Sequence, residues 1–255
     1  YGIILCMPKC RRTLFSYTTT VLAIESLSST LIERMTQLYL DNYEGSSKTL
    51  FTGDLSTKDE VLLLFADGDL VGFTTLLQYV STIDGRTLRV VYSGDTIVDK
   101  EHWGQQQLAR AWISRIGRIK AEAPDTPLYW FLLVKGHRTF KYLSVFGNSF
   151  HPHWNGTRPD LKRIADVLAL ERFGKAYNPA SGIVSFRESR GHLRPQIAEP
   201  TAEELTKPST RFFVEMNMGF RAGHELVCIC ELEQSNMKPL AARIFSKAML
   251  AGDHE

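Results

Sequence analysis

The chain has 255 residues, of which 44% are hydrophobic and 23% charged, and a formal net charge of +2. Those figures fit one large soluble globular unit with a real core. They offer no surplus of positive charge for a nucleic-acid backbone, so a nucleic-acid partner is not expected.

No apolar run approaches the roughly 18 residues of a membrane span. The apolar stretch at 1–7 is short and has no basic region ahead of it, so it does not read as a signal peptide. Four cysteines are present: Cys6, Cys10, Cys228 and Cys230. The last two are two residues apart in an alternating segment, which puts both thiols on one sheet face. Cys-x-Cys alone supplies too few ligands for zinc, so free buried thiols, no metal and a reducing, cytoplasmic compartment are the expectation.

Taken in order, the first legible element is a helix over 28–42. Leu31, Met35, Leu38 and Tyr39 share one face, and Ser28 or Ser29 can cap it. Val61-Leu-Leu-Leu-Phe65 predicts a buried strand. The Asp67-Gly68-Asp69 turn returns it through 70–79, and Asp84-Gly85 signals a second hairpin into a strand at 88–98. A helix follows over 106–121, with Leu108, Ala111, Trp112, Ile116 and Ile119 at spacings of three and four. The wholly apolar 128–134 reads as a central strand, and 139–146 as a helix stopped at Gly147.

The C-terminal hundred residues are less regular. They give a helix over 160–176, a long polar excursion over 178–207, apolar structure again from Phe212, a strand at 225–233 and a final helix at 239–250. The Arg187 to Arg194 stretch reads as a solvated face or a site for an anionic substrate. His151-Pro-His153 reads as a solvent-facing loop, and 215–220 as a turn that could line an acceptor pocket. The fold class is α+β: a mixed, mostly antiparallel sheet flanked by helices, with one β-α-β crossover. A single domain over 1–255 is expected, with a core at about 28–150 and a C-terminal extension over 151–255.

The segment from Tyr92 to Trp112 runs strand, polar loop, helix. That geometry aims free backbone N–H groups and a helix N-terminus at an anionic ligand. Asp67-Gly-Asp-Leu-Val-Gly-Phe73, Ile97-Val-Asp-Lys-Glu-His-Trp-Gly104 and Phe140-Lys-Tyr142 through Phe146-Gly147 occur in the order found in the GCN5-related N-acetyltransferase (GNAT) superfamily, which this chain resembles. The resemblance implies a GNAT-like acyl-CoA N-acyltransferase fold and transfer of an acyl group, acetyl in the first instance, from acetyl-CoA or another acyl-CoA to an amine on a small molecule or protein.

The resemblance also places the donor site on Ile97, Val98, Trp103, Gly104, Gln105, Gln106, Gln107, Leu108 and Ala109. It makes Asp95 the candidate base for the incoming amine and Tyr142 the candidate acid for the leaving thiolate. The same residues admit plainer roles: Asp95 as a strand-end carboxylate bonded to local backbone, Tyr142 as a core aromatic. The family's glycine pair in the pyrophosphate loop is missing, because Gln106 and Leu108, or Gln107 and Ala109, stand there. Two alternatives follow from that departure: an acyl carrier protein as donor, or a GNAT-like binding module without catalysis.

Overall fold

The computed structural model describes residues 15–251, so Cys6, Cys10 and the apolar stretch at 1–7 lie outside the described residues. The elements begin with β1 (Tyr17–Ala23), α1 (Ser29–Asn42), the two-residue β2 (Tyr43–Glu44) and α2 (Lys48–Leu55). The strands β3 (Glu60–Ala66), β4 (Asp69–Ile83) and β5 (Arg86–Val98) follow, then α3 (Gln107–Glu122), β6 (Leu128–Val134), α4 (His137–Phe146) and α5 (Pro159–Phe173). The remainder holds β7 (Tyr177–Asn178), β8 (Ile183–Val184), β9 (His192–Leu193), α6 (Pro195–Ala198), α7 (Ala202–Leu205), α8 (Pro208–Met216), β10 (Glu225–Glu231) and α9 (Pro239–Ala251).

Both sequence-predicted hairpins form. Asp67 and Gly68 have φ of 49° and 95°, and Asp84 and Gly85 have 52° and 75°. Positive φ at both central residues gives turns whose twist matches that of the flanking strands. The main sheet runs β1-β3-β4-β5-β6-β10-β8-β7. Every pair in it is antiparallel except β5 and β6, which run parallel over Arg89–Ser93 against Leu128–Leu132. β6 is central and apolar throughout because both of its faces are covered. Trp130 and Leu132 join the core under α3 and α9, while Phe131 joins the core under α5.

One irregularity shapes the site. Across β4 and β5, Thr74 faces Thr96 but Leu76 faces Ser93, so Gly94 and Asp95 together oppose Thr75. Such a bulge bends the strand that carries the extra residue. Beyond Ser93 the β5 backbone leaves β6, which continues to Val134 paired with β10. A wedge opens between residues 94–98 and the end of β6.

The sequence reading missed β1 and α2. β1 is a threonine-rich edge strand paired to β3 and exposed over most of its length, so it carries no apolar alternation to read. The stretch 178–207, read as a polar excursion, holds β8, β9, α6 and α7. The stretch 215–220 begins inside α8. Cys228 and Cys230 are free, buried and on the same face, in the core beneath α3 and α9.

Candidate active site

The wedge contains a narrow slot of about 40 Å³. Its floor is aromatic: Trp112 lies 4.5 Å from Trp130 and stacks on Phe146 at 5.4 Å. The Trp130 indole N–H donates to Ser93 Oγ at 2.9 Å, which satisfies the buried indole and ties β6 to the last paired residue of β5. Thr74 and Thr96 share a hydrogen bond of 2.8 Å beside the bulge. The slot joins a groove of about 500 Å³ on one side through Ala109, Tyr142 and Phe146. On the other side it joins a cleft of about 900 Å³ through Ser93, Gly94, Thr96, Leu133 and Thr139.

Of the donor-site residues named from the sequence, Val98, Trp103, Gly104, Gln105, Gln106 and Ala109 line the groove, and Ile97, Gln107 and Leu108 do not. Asp99 N–H donates to Val71 C=O at 2.8 Å, which fixes the ladder phase. Alternation then makes Phe73 and Ile97 a bonded pair, while Thr96 and Val98 turn their backbone groups toward the wedge. Ile97 therefore corrects the sequence reading: its backbone is engaged with β4, and its side chain is buried. Val98 C=O accepts a 2.9 Å bond from the Trp103 indole N–H, and the Arg138 guanidinium lies 4.7 Å over the Trp103 ring.

The loop is anchored from below. His102 is buried, with its Nδ1 3.0 Å from the Tyr17 hydroxyl of β1. Gly104 has φ +90°, a left-handed turn that glycine adopts without strain. The start of α3 is capped from within: the Gln105 side-chain oxygen accepts from Gln107 N–H at 2.7 Å and Leu108 N–H at 3.2 Å. Gln106 is exposed and its carbonyl accepts from Arg110 N–H. Leu108 is buried against Leu62, Leu64 and Val71, so its side chain faces the core. Arg110 and Lys141 line the groove with no carboxylate partner among the described residues, whereas Arg138 is paired with Glu204 at 3.1 Å.

Tyr142 stands where groove and slot meet, with its ring 5.5 Å from that of Phe146. Burial pushes its phenol above the usual tyrosine range, so it stays protonated at neutral pH. Asp95 stands on the far side, half-buried on the wall of the larger cleft. Desolvation, with Asp54 adding to it and Lys135 and Lys58 opposing, pushes its carboxyl up to about 7.

The neighbouring carboxylates are already neutralised. Lys58 meets Asp54 at 2.5 Å, and Lys135 meets Glu225 at 3.3 Å. Asp95 has no cation and no hydrogen bond of its own among the described residues. The sequence reading missed both lysines, because nothing local marks a lysine as buried. Lys58 has a side chain 0% exposed and is held by Asp54 and Thr57.

Elsewhere, His151 exchanges backbone bonds with Ile229, and His153 stacks on Trp154 at 4.3 Å. Both imidazoles are partly buried, in contrast to the solvent-facing loop expected. Among the described residues no group of three or more His, Cys, Asp and Glu side chains converges as a metal site would require. None of residues 215–220 lines the slot, the groove or the cleft. No helix among the described residues is long and apolar enough to cross a membrane.

Within the mostly antiparallel sheet, the parallel pair β5 and β6 is the β-α-β crossover expected from the sequence, and its strands part beyond Ser93. The fold class is α+β, a mixed and mostly antiparallel sheet flanked by helices. No family model matches the chain, and no curated protein matches it. Solved structures similar in part include a protein of unknown function, a probable N-acyltransferase, from Enterococcus faecalis V583. It is 14% identical with a TM-score of 0.39, over 53% of this chain and 33% of that one. A GNAT family N-acetyltransferase from Escherichia coli in complex with CoA is 17% identical, with a TM-score of 0.38 over 52% of this chain and 69% of that one. An acyl-CoA N-acyltransferase from Pseudomonas aeruginosa is 17% identical, with a TM-score of 0.38 over 51% and 88%. The match thus spans about a third of the Enterococcus protein's length and about half of this chain.

Proposed function

We propose that this protein is an N-acyltransferase of the GNAT type, moving an acyl group from an acyl-CoA to an amine by direct attack. The observation that carries this is the slot itself. It lies between a groove with unpaired cations and a cleft that adjoins it at Val98, Trp103 and Arg138, with a phenol on the groove side and an unpaired carboxylate on the cleft side. A thioester arm reaching in from the groove and an amine arriving from the cleft meet at the bulge. At about 40 Å³ the slot admits such an arm only when its lining side chains shift.

The chemistry divides between the two sides. Asp95 takes a proton from the incoming ammonium, and a carboxyl near 7 suits a base working at neutral pH. The amine nitrogen forms its bond to the thioester carbonyl carbon. The backbone N–H groups of Thr96 and Val98 face the wedge and are placed to steady the oxyanion. The tetrahedral nitrogen gives up its second proton to water, collapse breaks the C–S bond, and the thiolate takes the Tyr142 proton, which water later replaces. In the groove, Arg110 and Lys141 offer charge to the donor's phosphates.

A second reading keeps the transfer and changes the donor. The Gln105 oxygen already occupies the N–H groups at the start of α3 that a CoA pyrophosphate would use. That favours a carrier-borne pantetheine, which lacks the diphosphate at that place. The test is thermal stability with acetyl-CoA, longer acyl-CoAs and acyl-pantetheine, followed by amine-dependent thiol release. A ligand at 100 times its dissociation constant stabilises by about 2.7 kcal/mol. Stabilisation by acyl-CoA supports the first reading, and by acyl-pantetheine alone the second. No stabilisation by any thioester refutes both.

A further inference from the structure

The acceptor cleft has two chemically different ends. At the wedge, Asp95 is the carboxylate left without a partner, because Lys58 and Lys135 are matched to Asp54 and Glu225. At the other end stand Arg172, from the last turn of α5, and Arg190, from the loop before β9. Neither guanidinium meets a carboxylate or a hydrogen-bond acceptor among the described residues, although fourteen ion pairs form elsewhere among those residues.

Each arginine is instead mounted on an aromatic ring. Arg172 lies 4.4 Å over Tyr92, and Arg190 lies 3.9 Å over Phe186. The rings form one wall: Tyr92 packs on Phe173 at 6.5 Å, and Phe173 on Phe186 at 6.3 Å. Stacking holds a guanidinium by its face and leaves the N–H edge free, the edge that binds carboxylate or phosphate with two parallel bonds.

The cleft therefore presents one unmatched negative group and two unmatched positive ones. Asp95 lies three residues beyond Tyr92 on β5, which separates the two ends along the strand by somewhat less than the roughly 10 Å of a regular rise, because the bulge at Gly94 and Asp95 lies between them. A polyamine would meet two arginines at the far end. A simple amine would leave both of them without a partner.

We infer that the acceptor is an amine that also carries an oxyanion, a carboxylate or a phosphate, at the end of a spacer: the amine lies at Asp95 and the oxyanion at Arg172 and Arg190. This rests on the acyl-transfer reading for the role of Asp95, while the arginine end stands on its own geometry.

The experiment is calorimetric binding to the whole protein, which needs no turnover, with acyl transfer measured in parallel. The probes are ω-amino carboxylic acids of two to eight carbons, the matching carboxamides, and ω-aminoalkyl phosphates. The carboxylic acids should bind better as the spacer lengthens, and the carboxamides should bind about ten- to a hundredfold more weakly, the range for a lost charge-assisted bond. Arg172→Gln with Arg190→Gln should remove that preference; both positions are exposed, and the substitutions give up only the stacking on Tyr92 and Phe186. The ratio of carboxylate to phosphate binding identifies which oxyanion fits.

Carboxamides or polyamines binding as well as the acids would overturn the inference while leaving acyl transfer standing. So would a preference for the two-carbon acid, or no binding of any probe. Arginine-dependent binding of the long acids with no transfer from any thioester would support the inference and refute the acyltransferase reading.

Discussion

Replacing Asp95 by Asn should make this protein more stable and less active, with the gain in stability set by pH. The native carboxyl is pushed from an ordinary 3.8 to about 7, chiefly by desolvation and secondarily by Asp54. Between those values the unfolded chain has lost a proton that the native protein keeps. Stability therefore falls as pH rises from about 4 to about 7, and stays reduced above that. At roughly 1.36 kcal/mol per pH unit, the full penalty comes to about 4 kcal/mol. The side chain borders an open cleft, where water screens part of it, so about 4 kcal/mol is a ceiling. Asp95→Asn keeps the shape and cannot ionise. Urea unfolding of both proteins from about pH 5 to 8.5 covers roughly two-thirds of the window, so the variant's advantage should grow across it by at most about 3 kcal/mol. Over the same range the wild-type rate should rise through pH 7 as the base form appears, and the variant should lose roughly 10²–10⁴ in turnover together with that rise. A stability difference that does not change with pH, or one that favours the wild type as pH rises, would refute the account of Asp95.

Tyr142→Phe keeps the ring against Phe146 and removes the proton. Turnover should fall by roughly 10²–10⁴ with donor affinity unchanged, as single-turnover kinetics beside calorimetry would show, and a fully active variant would place the acid elsewhere. Gln105→Ala removes the oxygen that caps Gln107 and Leu108. Stability should fall by about 0.5–2 kcal/mol, the usual effect of losing a cap, while CoA should gain affinity relative to pantetheine because two N–H groups are freed for its pyrophosphate. Equal change in affinity for both ligands would show that the pyrophosphate does not lie at the start of α3.

The sequence by itself determined the elements whose periodicity reports a buried face. α1, the two hairpins, α3, β6 and β10 are legible because each buries one stripe or two faces, and the Asp-Gly turns are legible because few residues adopt positive φ at both positions. The sequence was silent on β1, whose threonines face solvent, and on the short elements of 178–207, where β8 is fixed by pairing with β10, β9 by pairing with β2, and α6 and α7 by bonds to Arg138 of α4. Tertiary structure alone decided what the site is made of. The bulge at Gly94 and Asp95 exists only as a register slip against Thr75, and it opens the wedge. The resemblance named Ile97 for the donor site, whereas the phase of the ladder turns the backbone of Thr96 and Val98, not that of Ile97, toward the wedge. Lys58, Lys135, Arg172 and Arg190 come from four separate elements and loops, and no local pattern tells a paired cation from an unpaired one. Which charges are matched and which are left for a ligand depends on distances across the fold, and those distances follow from how the sheet bends.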